Sequence, residues 1–318
     1  MPYAKVNGVR LYYERHGFPD KPPLVLIHGG QGDSSMLADL VPMFSQEFRV
    51  LLFDQRGLGR SDKPDVPYTI PLIADDTAAL MERTGFNPAH VLGVSLGGMI
   101  AQELALRHPD QPLSLVLGCT SPGGPRALRL AARNRAYTNE PLSDEERGRA
   151  LAEAIFTPGF LKEHPEMVDK LIALRRAHPL DPVGFARRLE AAVAWPGAYD
   201  RLSQIACPTL VITGAQDKLV PATNSRLLAR AIKGSELVVL DHAGHGFWLE
   251  RPQESKRALL AFLRRQIAGR ATTRAASKLR ARLQAAPARA AAKRAATSKV
   301  LPPARGGAPS KARARAGR

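Results

Sequence analysis

The sequence predicts an α/β fold, a mostly parallel twisted sheet with helices on both faces. Two observations lead there. Residues 1–268 alternate short apolar runs with helix-patterned stretches, which is how a parallel sheet and its crossover helices appear in one dimension. The residues best suited to nucleophilic chemistry also fall just past predicted strand ends, the edge at which open α/β sheets bind ligands. At 318 residues the chain can bury a large core.

The strand candidates, in order, are Val9–Glu14, Leu24–His28, Val50–Phe53, Val91–Val94, Leu113–Cys119, Thr209–Thr213 and Glu236–Leu240. Thr209–Thr213 is typical: β-branched, and bounded by Pro208 and Gly214. Helical stretches follow at Met99–His108 and Ala222–Ile232. The alternation breaks between Cys119 and Ile205. Helical patterns near Ala127–Tyr137, Ser143–Phe156, Pro165–Ala177 and Pro182–Ala194 fill that interval, split by Pro158, Pro179 and Pro196. Ser143-Asp144-Glu145-Glu146 is a good helix start. The expected organisation is a core of residues 1–121 and 200–268, a helical cap at 122–199 and a distinct tail at 269–318.

The chemistry centres on His90-Val91-Leu92-Gly93-Val94-Ser95-Leu96-Gly97-Gly98. A strand candidate runs into Gly-x-Ser-x-Gly, and a helical stretch follows. A tight strand-to-helix turn lifts a serine hydroxyl clear of the backbone. Gly93 and Gly97 remove side chains that would clash in so sharp a turn. The helix starting there aims free N–H groups at whatever bonds to Ser95. Such a serine needs a base, and the base needs an orienting acid. Asp217 follows the strand Thr209–Thr213, and His245 follows Glu236–Leu240 in Asp241-His242-Ala243-Gly244-His245-Gly246-Phe247. His242 is the rival base, but Gly244 and Gly246 leave room for a substrate beside His245. The chain order is thus Ser95, Asp217, His245, as in the α/β-hydrolase arrangement.

These motifs resemble those of α/β-hydrolase-fold serine hydrolases, and the likeness covers about residues 3–267. His28-Gly29-Gly30 follows the apolar run Leu24–Ile27. The resemblance implies an oxyanion hole made by the backbone N–H groups of Gly30 and Leu96. Phe53-Asp54-Gln55-Arg56-Gly57-Leu58-Gly59-Arg60-Ser61-Asp62 is similar to the family's loop after the next strand, and Gly244-His245 with Glu250 to its histidine loop. Gln31 stands where relatives that cleave N-terminal proline carry a proline, which speaks against an iminopeptidase. A serine nucleophile speaks against dehalogenase and epoxide-hydrolase chemistry. Gly-Val-Ser-Leu-Gly-Gly-Met-Ile-Ala-Gln with a short helical cap most resembles 3-oxoadipate enol-lactonase-like and related esterases. The resemblance implies a cofactor-free hydrolase of a small carboxylic ester or lactone. Haloperoxidase-like perhydrolysis and carbon–carbon bond hydrolysis use the same triad and stand as alternatives.

Other residues have quieter expected roles. Asp54 and Asp62 are expected in a turn network with Arg56 or Arg60. Glu250 is expected to cap the last helix ahead of Pro252 or to pair with Arg251 or a neighbouring base. Cys119 and Cys207 make no disulfide framework, and neither has metal-ligand spacing. Cys119 is expected to be a buried thiol. The N-terminus Met1–Lys5 has no apolar signal region, and no stretch approaches membrane-spanning length. With two free thiols, the expected compartment is the cytoplasm.

The tail is a different material. Residues 269–318 hold 14 of the 46 Lys and Arg and none of the 29 Asp and Glu, so the tail carries +14 and the rest of the chain +3. Rich in Ala, Arg, Lys and Pro, it is expected to be disordered. Its composition is similar to the basic tails of histone-like DNA-binding proteins, and such an arm would bind nucleic acid or other polyanions without sequence preference. A compositional extension with no partner is the alternative. A function of another class, a basic-tailed nucleic-acid-associated scaffold with a vestigial hydrolase body, would require none of Ser95, Asp217 and His245.

Overall fold

A computed structural model describes residues 2–128 and 142–269. Most of the helical pattern at Ala127–Tyr137, and the tail from residue 270, lie outside the described residues. Residues through Ile267 form one compact unit.

Eight strands form one sheet: β1 Tyr3–Val6, β2 Val9–His16, β3 Pro23–Ile27, β4 Arg49–Phe53, β5 Ala89–Val94, β6 Pro112–Gly118, β7 Thr209–Gly214 and β8 Glu236–Leu240. Their spatial order is β1-β2-β4-β3-β5-β6-β7-β8. β1 and β2 pair antiparallel, as do β2 and β4; every other pairing is parallel. β1 was not anticipated. It is short, and it pairs across the tight turn at Asn7 and Gly8, both at positive φ.

The helices are α1 Val41–Phe44, α2 Ile70–Thr84, α3 Leu96–Arg107, α4 Asp144–Ile155, α5 Pro158–Glu163, α6 Glu166–Ala177, α7 Pro182–Ala194, α8 Ala222–Ala231, α9 Phe247–Glu250 and α10, residues 252–269. Buried strand residues alternate between two cores. Val25, Ile27, Leu51, Phe53, Leu115, Leu117 and Val211 face a core shared with α2, α3 and α8. Leu24, Leu26, Val50, Leu52, Val116, Leu210 and Ile212 face one shared with α1, α9 and α10. Apolar residues at both parities are what a sheet covered on both faces requires.

α4 to α7 lie between β6 and β7, in the interval where the alternation breaks. Ser143 caps α4 in a full capping box with Glu146. Pro158 opens α5 rather than only dividing two helices, since proline's missing N–H has no partner to lose in a first turn. Among the described residues, no helix is long and apolar enough to cross a membrane.

β3 is flanked by β4 on one side and β5 on the other, so the chain reverses its direction of winding there. The crevice at such a reversal, beyond the carboxyl ends of the strands, is where this class of sheet binds ligands.

Candidate active site

Ser95 sits between β5 and α3 with φ 57° and ψ −120°. For a residue with a side chain this conformation is strained by about 1–3 kcal/mol. Tight packing holds it. A Cβ at Gly93 would lie 2.3 Å from the Gly97 carbonyl oxygen, and one at Gly97 would lie 2.1 Å from that of Ile27. The Ser95 N–H donates to the Gly118 carbonyl (2.8 Å), and the Thr120 hydroxyl donates to the Ser95 carbonyl (2.6 Å). The turn is therefore anchored to β6.

Gly29 and Gly30 follow β3 and lie against this turn. A Cβ at Gly29 would stand 3.3 Å from Ser95 Cβ, and one at Gly30 3.4 Å from Leu96 Cδ2. His28, fully buried, has its Nδ1 2.9 Å from the Gly29 carbonyl oxygen, while its Nε2 accepts the Gln55 N–H at 3.4 Å. Burial, and then the charge of Arg188, pushes this imidazole down to about 4. It is neutral at physiological pH, with Nδ1–H as the donor. A trans peptide points its N–H opposite its C=O. With the Gly29 carbonyl drawn to the imidazole, the Gly30 N–H turns to the other side of the loop.

Asp217 is buried just past β7. Its Oδ1 accepts from the Leu219 and Val220 N–H groups (2.9 and 2.8 Å), which aims Oδ2 at His245 Nδ1, 2.8 Å away. Asp217 and His245 are 5% and 4% exposed. Burial opposes a charge on His245, but the Asp217 carboxylate outweighs it and holds the imidazole well above its ordinary value. His245 and Ser95 line one cavity. His242 is exposed. The structure thus brings together Ser95, Gly30, Leu96, Asp217 and His245.

Asp54 and Asp62 lie elsewhere. Asp54 is fully buried and accepts from the Ser34 N–H (3.0 Å), the Arg60 N–H (2.8 Å) and Arg60 Nε (3.0 Å). Asp62 binds Arg10 of β2, and Arg56 clamps Asp76 of α2. The network expected inside this loop also ties it to its neighbours.

Two contacts were not legible in the sequence. Cys119, one residue past β6 with φ 38°, is fully buried, and its Sγ lies 3.8 Å from His245 Nε2. Burial pushes its thiol up, so a neutral S–H faces the ring. Cys119, Asp217 and His245 are the one group of three metal-capable side chains among the described residues. Asp217 and Cys119 address opposite nitrogens of the same imidazole, so the three form a hydrogen-bonded line rather than a chelate. Glu250 takes donors other than the last helix, Arg251 or a neighbouring base. Its Oε1 accepts the Gly244 N–H (2.7 Å), and its Oε2 accepts the Thr157 N–H and hydroxyl (3.2 and 2.7 Å). It ties the histidine loop to the start of α5.

The cavity over Ser95 encloses about 210 Å³, with Met36, Leu151, Ile155, Leu171 and Trp248 among its walls. α4 and α6 supply much of this lining. α6 is held to the loop after β3 by Arg175, which donates to the Gln31 carbonyl (2.6 Å), and by His178, 2.9 Å from Asp33.

Comparison with known proteins agrees with this fold. The profile of the α/β hydrolase fold family matches residues 22–252. RutD of Azorhizobium caulinodans, provisionally named a carbamate hydrolase, is 30% identical over 264 residues, covering 82% of this chain and 98% of its own. 3-Oxoadipate enol-lactonase 2 of Acinetobacter baylyi is 30% identical over 262 residues, covering 81% and 95%. The crystal structure of an enol-lactonase from Burkholderia xenovorans superposes with a TM-score of 0.74 at 30% identity, covering 82% and 99%. The chain belongs to the α/β-hydrolase family and is a hydrolase.

Proposed function

We propose that this hydrolase cleaves a small carboxylic ester or lactone through an acyl-enzyme on Ser95. One observation carries the reading: Ser95, raised on a positive-φ turn, shares a cavity with His245, whose far nitrogen is 2.8 Å from the buried Asp217. His245 takes the hydroxyl proton as Ser95 attacks the carbonyl. Asp217 fixes the imidazole tautomer and stabilises the imidazolium. The N–H groups of Gly30 and Leu96 hold the oxyanion, in such sites the largest single electrostatic contribution. The imidazolium then protonates the leaving alkoxide. A water, deprotonated by His245, attacks the acyl carbonyl and releases the acid. The small, largely apolar cavity favours a short acyl or alcohol group, and residues 122–199 act as a cap that excludes bulk water.

The test is labelling with a fluorophosphonate, together with hydrolysis of p-nitrophenyl esters of graded chain length and of simple lactones. Ser95→Ala should fold normally, lose the label and fall about 10⁴-fold or more in kcat. Retention of more than a tenth of the activity in pure Ser95→Ala protein overturns the assignment.

A further inference from the structure

α6 runs along the loop that follows β3. Its Leu171 and Leu174 line the cavity over Ser95, while its polar residues meet the loop itself. Lys170 donates to Asp39 (3.0 Å), and His178, just past the helix end, has its Nδ1 2.9 Å from Asp33 Oδ2. Lys170, Asp39 and the His178 ring all reach solvent, where such pairs contribute little. Arg175 is different. It is 3% exposed, and its Nη2 donates to the Gln31 carbonyl at 2.6 Å, across 144 positions of sequence. A charged donor on a buried carbonyl is a stronger tie than a neutral one.

That carbonyl lies one residue from the Gly30 N–H. The loop reads His28-Gly29-Gly30-Gln31-Gly32. Glycines at three of its last four positions give the backbone wide conformational freedom, so a peptide between them turns over at little steric cost. The Gly30 N–H serves an oxyanion only while its peptide keeps one orientation. Two side chains hold the flanking carbonyls. His28 Nδ1–H donates to that of Gly29 (2.9 Å), and Arg175 to that of Gln31. The guanidinium lies close over the turn: a Cβ at Gly32 would be 4.0 Å from Arg175 Nη1 and 2.8 Å from Met36 Cγ. One anchor thus comes from the end of a core strand and the other from the insertion between β6 and β7.

We propose that Arg175 is a positioning residue for the oxyanion hole. By holding the Gln31 carbonyl it keeps the Gly30 N–H turned to the Ser95 adduct, so seating α6 over the cavity and completing the oxyanion hole are one event. The proposal deepens the serine-hydrolase reading and rests on it for the oxyanion. The walls of the cavity do not include Arg175, so it acts through the backbone of the loop and not on the substrate.

The test compares the full-length wild type with Arg175→Met, Arg175→Lys and His178→Gln. Turnover is measured on p-nitrophenyl pentanoate, and binding as inhibition by two ketones of one chain length, trifluoromethyl pentyl ketone and methyl pentyl ketone. The serine oxygen adds to the trifluoromethyl ketone carbon, the hydroxyl proton passes to His245, and the ketone oxygen becomes an oxyanion. The methyl ketone fills the same space without forming one. Removing an oxyanion donor outright costs about 10²–10³ in kcat, so leaving one free to turn should cost Arg175→Met about tenfold to a hundredfold. KM should stay within about threefold. The trifluoromethyl ketone should weaken by about the same factor as kcat, and the methyl ketone by less than about twofold. Arg175→Lys should recover part of both losses. His178→Gln, which loosens the same helix beyond the loop, should keep kcat and the ratio of the ketones within about twofold of wild type. A wild-type kcat in Arg175→Met, two ketones weakened alike, or an equal loss in His178→Gln overturns the proposal while the hydrolase reading stands. If Arg175→Met does not fold, Arg175→Lys decides, and a ketone ratio equal to wild type refutes the assignment. A wild type that binds the two ketones alike and leaves the ester intact overturns the hydrolase reading, and the proposal with it.

Discussion

Glu250→Gln tests whether the histidine loop owes its position to the insertion between β6 and β7. The Glu250 carboxylate, 9% exposed, accepts three hydrogen bonds, one from Gly244 and two from Thr157. A glutamine keeps one acceptor oxygen and puts an NH₂ group in place of the other. Either the Gly244 bond or the Thr157 pair is lost, and the new donor faces an N–H. At about 1.5–3 kcal/mol for each bond to a charged group, the variant should lose about 2–4 kcal/mol. For a body of this size that is a fall in Tm of about 5–12 °C by calorimetry. The activity should suffer separately. Gly244 precedes His245, and the Gly246 N–H donates to the Ile155 carbonyl at the end of α4 (2.7 Å), so the loop is held on both sides of the imidazole. Loosening one side should lower kcat about tenfold, measured well below the new Tm, with KM changed much less. A Glu250→Gln protein melting within about 2 °C of wild type, with kcat within twofold, would show that the tie does not position His245.

Further outcomes are expected. Asp217→Asn should lower kcat about 10⁴-fold with little loss of stability, as a lost imidazole orientation does elsewhere. Asp54→Asn should act mainly through stability; an active Asp217 variant beside a stable but inactive Asp54 variant reverses the roles. Asp54 is fully buried, and its hydrogen bonds from Arg60 and Ser34 outweigh that burial and hold its carboxyl below its ordinary value. Its stabilisation is therefore present above the unfolded value near 3.8 and is lost as pH falls through the lower folded one, so wild type and Asp54→Asn should converge in stability in strong acid. His245 runs the other way. Its raised pKa means that the charged ring stabilises the fold below its ordinary 6.5 and that this contribution fades as pH rises through the folded value, while the neutral ring that the proposed mechanism needs appears. The acid limb of kcat/KM should have its midpoint above 6.5, and a midpoint at or below that value contradicts the Asp217–His245 pairing. Truncation after Ala268 should leave kcat/KM for a neutral ester within about twofold, and if residues 269–318 bind polyanions, only the full chain should shift duplex DNA at low salt, with a log–log salt slope of about −0.9 per neutralised phosphate. Equal DNA binding by both forms removes the tail's proposed role.

The sequence by itself determined the class of fold and the outline of the candidate site. Those features are local. A β-branched run, a glycine two residues either side of Ser95 and an apolar helix behind it specify a strand, a sharp turn and a helix through contacts a few residues apart. Asp217 and His245 were legible because each follows such a strand directly, and parallel strands deliver their following loops to one edge. Only the tertiary structure decided which polar groups meet. Glu250 bonds to Thr157, 93 positions away; Cys119 faces His245 across 126; Arg188 meets no acid at all. The strand order and the antiparallel edge of β1 and β2 belong to the same category. Turn chemistry is set by neighbours along the chain. Pairing across the sheet depends on strand order, register and helix placement, which are settled by burying both faces of the sheet together, and no short stretch of sequence carries that information.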